Sequence, residues 1–329
     1  MKNKVKTIGL IFGGVSKEHN VSIKSAQTIA SALRGLSNQK EFEVISTYID
    51  QRGNWWTNEI AEKILKDGIS KELEKFLATN KSEKITHFLR NLENIDIWFP
   101  VLHGPNGEDG TIQGFFKLTG KPFVGSGVLG SAMAMDKIAM KTIFTAAGLP
   151  QAPYLTVTKD DLLDKATFLS SIKKIEKILG FPCFIKPANL GSSVGITKAY
   201  SIEEASKGLI LAASFDKRIV IEQSITGREL ECGVLGKGEM STSTVGEVSF
   251  NSDWYDYETK YSEGNSKILI PAAIPKETLN KIQELSLLAC KAISVEGFAR
   301  VDFFFDEKKD QLWINEINTL PGFTKQSMY

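Results

Sequence analysis

Two strand-like segments near the C-terminal end, Arg300-Val301-Asp302 and Asn315-Glu316-Ile317-Asn318, carry acids where apolar residues are expected. Alternate residues of a strand share a face, so Arg300 and Asp302 point one way, and Glu316 and Asn318 point together. Asp302, Glu316 and Asn318 then offer hard oxygen ligands, the kind Mg²⁺ takes when phosphates and water complete its octahedron. Ordinary solvent-facing polarity is the structural alternative, and it fits poorly because the acids interrupt apolar strands. Earlier, Phe184-Ile185-Lys186-Pro187 is followed by Gly191-Ser192-Ser193-Val194-Gly195. A lysine ending a strand supplies a point charge, and a Gly/Ser-rich loop supplies N–H groups that close over phosphate oxygens. The lysine precedes the glycines, so this is not a Walker A loop. A surface loop is the alternative.

Two further loops are rich in glycine. Gly13-Gly14-Val15-Ser16-Lys17-Glu18-His19 follows an apolar run, and His103-Gly104-Pro105-Asn106-Gly107-Glu108-Asp109-Gly110 follows another that ends at Val101. Glycines let the chain turn at the carboxyl end of a strand, where ligands bind in open α/β sheets. The first loop is not GxGxxG, so no dinucleotide fingerprint is supported. A carboxylate at Glu18 suits a substrate ammonium; the structural alternative is a tight strand-to-helix turn with Ser22 as N-cap. In the second loop Glu108 and Asp109 fit a charge pair at a helix N-terminus. His103 points to function more than to a satisfied loop histidine.

The elements that must hold these groups follow from the apolar pattern. Over 1–124, apolar runs at Thr7 to Phe12, Phe42 to Ile49 and Ile95 to Val101 alternate with a helical pattern from Ser22 to Leu33 and a mixed-charge helical segment from Glu59 to Asn91. That alternation predicts a doubly wound α/β unit with a parallel sheet. Over 125–225 the sequence predicts a helix from Asp136 to Ala147, closed by Gly148 and Pro150. A helical stretch from Leu162 to Leu179 and a short strand from Cys183 to Lys186 come next. Over 226–329, strands at Leu230 to Leu235, Val301 to Phe305 and Leu312 to Ile317 flank a helix around Glu277 to Ile293. The chain has 329 residues, and a single core rarely grows beyond about 250–300 residues, so several units are expected.

Bulk composition narrows the partners. With 40 basic and 39 acidic residues the net charge is +1, which gives no broad handle on nucleic acid or a membrane surface. Any anion must be held by a local site. Cys183, Cys232 and Cys290 lack CxxC spacing and are expected as buried thiols, not as a disulfide or zinc site. Lys2, Lys4 and Lys6 precede an apolar stretch too short for a signal peptide, and no apolar run is long enough to span a bilayer. No membrane association and a cytoplasmic location are the expectation.

These constellations, in this order, resemble the D-alanine–D-alanine ligases of the ATP-grasp superfamily. The resemblance runs from Gly13 to Tyr329, and is densest in the Glu18 loop, HGPNGEDG, GFPCFIKP with GSSVG, DWYDYETKY from Asp253 to Tyr261, ARVDFF, and NEINTLPGFT from Asn315 to Thr324. It implies a mixed α/β, three-domain ATP-grasp fold: an N-terminal substrate-side domain over 1–124, a central domain over 125–225 and a catalytic domain over 226–329. It also implies ATP held between the last two, two Mg²⁺ or Mn²⁺ ions, and a homodimer. Carried onto matching positions, Lys137 and Lys186 would contact phosphates, beside Ser192 and Ser193 of the glycine-rich loop. Lys260 would lie near the phosphates, and Glu222 and Glu229 in the adenine and ribose segment. Asp302, Glu316 and Asn318 would hold the metal. Glu18 would orient the ammonium of the first D-alanine. Ser192 and Tyr261 would link the glycine-rich loop to the loop around Tyr257. Arg300 and the backbone of Gly322 would stabilise a tetrahedral intermediate, and Ser327 would meet the carboxylate of the second D-alanine, with His103 near that subsite.

The implied reaction phosphorylates the first D-alanine and lets the amine of the second attack the acylphosphate, for peptidoglycan precursor synthesis, cell-wall biogenesis and cell shape. Relatives generally continue with helical sequence past Pro-Gly-Phe-Thr, so the stop at Tyr329 is expected to bear on the second-substrate subsite. The rival readings are a ligase that joins D-alanine to D-lactate or D-serine, an ATP-grasp ligase of another carboxylate and amine, and a nucleotide-binding protein without catalysis. Tyr261 speaks against D-lactate.

Overall fold

The computed structural model describes residues 5–57, 59–80, 92–191, 193–250, 266–324 and 327–329. Ser192, Tyr257, Lys260 and Tyr261 lie outside the described residues. The chain forms two compact units. Unit 1 comprises Met1–Ser131, Glu296–Ala299 and Thr319–Tyr329, and unit 2 comprises Ala132–Val295 and Arg300–Asn318.

Unit 1 is built on a sheet of β1 (Lys6–Gly13), β2 (Phe42–Ile49), β3 (Trp55–Thr57) and β4 (Ile97–Val101), in the order β3-β2-β1-β4. β1 pairs in parallel with β2 and β4, and β3 is an antiparallel edge. The apolar run in β1 exists because both faces of this strand are covered. Leu10 and Phe12 face a core shared with α1 (His19–Leu33), α2 (Glu59–Asp67) and α3 (Lys71–Thr79). Ile11 and Trp98 face another shared with Ile112 and Phe116 of α4 (Thr111–Leu118). This is the doubly wound arrangement. The mixed-charge stretch after Glu59 also contributes to the interior: Ile64, Leu65, Leu73 and Leu77 pack into the first core.

The start of the first helix differs from the sequence reading. α1 starts at His19, so Ser22 lies within the helix and does not cap it. Its hydroxyl instead accepts the Gly13 N–H at 2.7 Å and donates to the Val101 carbonyl, tying the ends of β1 and β4 to the helix. Gly13 itself has φ +96, and a Cβ there would stand 2.1 Å from the Ile49 carbonyl oxygen. Only glycine fits that approach.

Unit 2 has two sheets, built largely of antiparallel pairs. The first runs β5-β8-β6-β7, from β5 (Tyr154–Thr158), β6 (Cys183–Pro187), β7 (Thr197–Ala199) and β8 (Arg218–Gln223). Its apolar face, with Ile185, Ile219 and Ile221, packs on α6 (Lys165–Lys174) and α7 (Ile202–Phe215). α5 (Lys137–Ala146) precedes β5; Asp136 caps it by accepting the Ala139 N–H at 2.8 Å, and Gly148 follows it with φ +68. The second sheet runs β11-β10-β9-β12-β13, from β9 (Arg228–Lys237), β10 (Glu239–Phe250), β11 (Ser266–Leu269), β12 (Gly297–Asp306) and β13 (Gln311–Asn318), with α8 (Lys276–Ala292) packed on β9 and β10.

A β-bulge sets the chemistry of this second sheet. Asp302 pairs with Glu316, but the next pair is Phe303 with Ile314, which leaves Asn315 as the extra residue. Leu312 and Ile314 are buried, and strict alternation would send Glu316 and Asn318 into the same core. The extra residue reverses the alternation, so Ile317 takes the buried face and the two polar residues join Arg300 and Asp302 on the other. No helix among the described residues is long and apolar enough to cross a membrane.

Candidate active site

In unit 1 the two glycine loops meet. The Ser16 hydroxyl donates to the His103 carbonyl at 2.6 Å, and it also accepts the Glu18 N–H at 3.1 Å. A Cβ on Gly104 would come within 2.9 Å of Glu18 Oε2, so the second loop lies flat beneath that carboxylate. Glu108 and Asp109 hold the loop's shape. Glu108 accepts the Gly104 N–H at 2.6 Å, and Asp109 accepts those of Asn106 at 2.8 Å and Thr111 at 3.0 Å, at the start of α4.

Two buried histidines, His19 and His103, are bonded through both ring nitrogens. His103 Nδ1 lies 3.0 Å from the Leu320 carbonyl, which can only accept, so Nδ1 carries a proton. Nε2 lies 3.2 Å from Ser25 Oγ, and the same oxygen accepts the Phe323 N–H at 3.0 Å. His103 therefore ties the segment around Gly322 to α1. Phe323 adds edge contacts with Phe99 at 6.3 Å and Phe298 at 5.7 Å. Ser327 Oγ accepts the Thr324 N–H at 3.1 Å and would stand 2.9 Å from a Cβ on Gly322. His19 repeats the pattern beneath Glu18: Nδ1–H donates to the Gly14 carbonyl at 2.6 Å and Nε2 accepts the Tyr48 hydroxyl at 3.0 Å. Burial lowers the His19 pKa, against the pull of that carbonyl and of Asp50, and favours the neutral ring.

Unit 2 contains a cavity of about 290 Å³. Lys137, Lys186, Glu222, Glu229, Arg300, Asp302 and Glu316 line it, with Gly191 and Ser193 of the Gly/Ser-rich loop. The Lys137 ammonium donates to the Leu190 carbonyl at 2.6 Å, and its N–H reaches the Ala188 carbonyl at 3.0 Å, which fixes the root of that loop. The Lys186 ammonium lies 3.0 Å from Glu222 Oε2. Burial works to raise the Glu222 carboxyl, but the Lys141 and Lys186 ammonium groups outweigh it and hold the pKa well below the usual carboxylate range.

On the second sheet Arg300 grips Asp302 with two bonds of 2.7 Å and reaches Glu231 Oε2 at 3.0 Å. Asn318 Nδ2 donates to Asp302 Oδ2 at 3.0 Å. Burial would lower the Arg300 guanidinium; Asp302 and Glu231 overcome it and raise it, so this arginine is a permanent charge. Asp302 and Glu316 stand side by side across the strands, and two adjacent carboxylates are the donor chemistry that suits a hard divalent cation shared with phosphates. Among the described residues, no group of three or more His, Cys, Asp or Glu forms a metal cage without such outside ligands.

A buried cradle of lysines with paired carboxylates is what an ATP-consuming ligase needs, and the sequence families agree. Residues 7–126 match the family described as D-ala D-ala ligase N-terminus, and residues 143–329 match D-ala D-ala ligase C-terminus. The chain belongs to the D-alanine–D-alanine ligase family. A D-alanine–D-alanine ligase of Prochlorococcus marinus is 61% identical over 329 residues, covering 100% of this chain and 94% of the relative. One of Synechococcus sp. is 52% identical over 323 residues, covering 98% and 91%. Among solved structures, the VanG D-Ala:D-Ser ligase from Enterococcus faecalis superposes with a TM-score of 0.81 at 35% identity, over 99% of this chain and 93% of that one. The D-alanine–D-alanine ligase from Coxiella burnetii gives 0.76 at 28%, over 99% and 87%. These neighbours are ATP-grasp enzymes, and the mixed α/β architecture described above is that fold.

The ligase-family residues read from sequence fall into two groups. Unit 1 holds Glu18, His103, Gly322 and Ser327, and unit 2 holds Lys137, Lys186, Ser193, Glu222, Glu229, Arg300, Asp302, Glu316 and Asn318. Sequence reasoning missed Lys141 and Glu231. Each carried a signal: Lys141 is one helical turn after Lys137, and Glu231 is two residues after Glu229 on a strand, so each shares a face with a residue already singled out.

Proposed function

We propose that this chain is an ATP-dependent ligase that joins two D-alanines into D-alanyl-D-alanine, with ADP and phosphate as the other products. The observation that carries this reading is the lysine- and carboxylate-lined cavity of unit 2 in a chain of this family. A carboxylate is a poor acyl donor, so the γ-phosphate of ATP first activates the first D-alanine as an acylphosphate. The amine of the second D-alanine then attacks the carbonyl carbon, and phosphate leaves. The protein's task is positioning and charge neutralisation.

The residue roles follow the resemblance. Lys137 and Lys186, with Ser192, Ser193 and Lys260, engage the phosphates, and Glu222 and Glu229 the adenine and ribose. Asp302, Glu316 and Asn318 would hold Mg²⁺ or Mn²⁺, in two ions, which would screen phosphate charge. Glu18 takes the first D-alanine's ammonium. Arg300 and the Gly322 N–H stabilise the oxyanion, and Ser327 receives the second carboxylate. His103 acts by fixing the Leu320 to Phe323 backbone. Tyr261 with Ser192 would close the glycine-rich loop against water. A central domain over 125–225, a C-terminal domain over 226–329, a homodimer and a cytoplasmic location serving cell-wall synthesis complete the reading.

The test is a phosphate-release screen of the full chain against D- and L-amino acids and D-hydroxy acids, with product analysis. D-alanine alone should release phosphate and yield the dipeptide. Preference for D-lactate or D-serine as second substrate would move the chain to a sister activity, and nucleotide binding without D-alanine-dependent phosphate would reduce it to a binding protein.

A further inference from the structure

One face of the four-stranded sheet carries a row of side chains at matched register. Tyr154 pairs with Glu222, Glu222 with Phe184, and Phe184 with Lys198. Three ammonium groups are interleaved with it. Lys141 Nζ lies 5.6 Å from the centre of the Tyr154 ring and 3.6 Å from Glu222 Oε1. Lys186 Nζ lies 3.0 Å from Glu222 Oε2 and 5.6 Å from the Phe184 ring. Lys198 Nζ lies 5.7 Å from the Phe184 ring on its other flank.

These lysines are not equivalent. Lys186 and Lys198 line the cavity, whereas Lys141 does not and is only 1% exposed. Its ammonium has no hydrogen-bond partner among the described residues; burial lowers its pKa, and the Glu222 carboxylate 3.6 Å away is the main group that holds the charge against it. Burying a lysine this completely is costly, and a buried ion pair adds little to stability over a well-packed apolar pair. Charge balance gives it a purpose. Glu222 alone would neutralise Lys186, one of the cations that line the cavity. With Lys141 on its other oxygen, Glu222 is already matched, and the trio keeps one net positive charge at the cavity wall.

We propose that Lys141 is a positioning residue of the nucleotide site, acting through Glu222 to leave the Lys186 charge available to phosphate. The proposal rests on reading the unit 2 cavity as the ATP site. It differs from a packing role because it concerns the charged part of the nucleotide and not the base.

The experiment compares affinities of the full chain for ATP and for adenosine at fixed Mg²⁺. Lys141→Met should lower the preference for ATP over adenosine about tenfold, the effect of one partly screened unit charge. Lys141→Gln, which removes the same charge but keeps a polar group, should do likewise. Lys141→Arg should hold the preference near the wild-type value. The double variant Lys141→Met with Glu222→Gln should restore the preference while losing absolute affinity, because it again leaves Lys186 unneutralised. An unchanged preference in the Met and Gln variants, or equal weakening of ATP and adenosine, overturns the proposal. So does failure of both neutral variants to fold while the double variant folds, which would make Lys141 a structural counterion. If wild type binds ATP but D-alanine elicits no phosphate, the functional reading fails and the Lys141 result stands on its own.

Discussion

In unit 1 the groups around Glu18 and His103 are fixed by hydrogen bonds to the backbone, some of them accepted by the Glu108 and Asp109 carboxylates, whereas in unit 2 the groups around Glu222 and Asp302 are fixed by ion pairs. His19, Ser22, Ser25 and His103 each bond a main-chain group of a loop or strand end. In unit 2 Lys141, Lys186 and Arg300 hold carboxylates. The difference matches the cargo each unit is proposed to meet. A zwitterionic amino acid needs directional bonds in a rigid frame, and a polyphosphate needs positive charge that is not already spent.

The sharpest way to break this contrast lies in unit 2. Glu316→Gln should cut D-alanine-dependent phosphate release by about a thousandfold or more, roughly 4 kcal/mol of barrier. Its circular dichroism should not change. Turnover equal to wild type at low Mg²⁺ would remove Glu316 from the metal set. Next in size, Glu18→Gln should raise KM for the first D-alanine by about thirtyfold or more with little change in kcat. Deleting one partner of a buried charge pair costs about 2–5 kcal/mol. An unaltered D-alanine dependence would make Glu18 a helix-start residue only.

Smaller effects test the hydrogen bonds of unit 1. Ser25→Ala leaves His103 Nε2 and the Phe323 N–H without their shared partner. The expected loss is about 1–3 kcal/mol of stability, measured by urea unfolding; no shift of the midpoint would show that the relay is dispensable. Smallest is a pH effect at Asp50. Burial would raise this carboxyl, but hydrogen bonds from Asn54, Trp56 and Arg52 outweigh it and lower the pKa. A depressed carboxyl contributes stability in full above its ordinary pKa, and the contribution is lost as pH falls through the folded-state value. Asp50→Asn should therefore flatten the acid limb of the unfolding midpoint, and an identical acid limb would contradict the assignment.

Strands and loops were legible in the sequence where local pattern decides them. β2 runs from Phe42 to Ile49 as its apolar run predicts, and Gly148 follows α5 where expected. Glu18 and His103 stood out as charged and titratable groups beside glycines after apolar strands; the structure gives His103 the task of a buried histidine bonded through both ring nitrogens. Lys141 did not stand out, because Met140 and Phe144 on the same helix face are ordinary core residues and its one local signal is Lys137 a turn earlier. Its partner is 81 positions away, counting from 141 to 222. The start of α1 was misplaced because Ser22 resembles a cap by type, while its real partners, Gly13 and Val101, come from two strands. Ser192, Lys260 and Tyr261 remain assignments from resemblance alone.

Asn315 has no partner on β12, and whatever its side chain adds to the cavity wall, the site depends on its presence as a count. It works as a parity bit: with it, positions 316 and 318 fall on the odd-numbered side of the strand, and without it on the even. A scan that substitutes every residue in turn, holding length constant, would test only the side chain and never see this. Only a one-codon deletion exposes it, by keeping every ligand in the sequence while turning Glu316 and Asn318 toward the core.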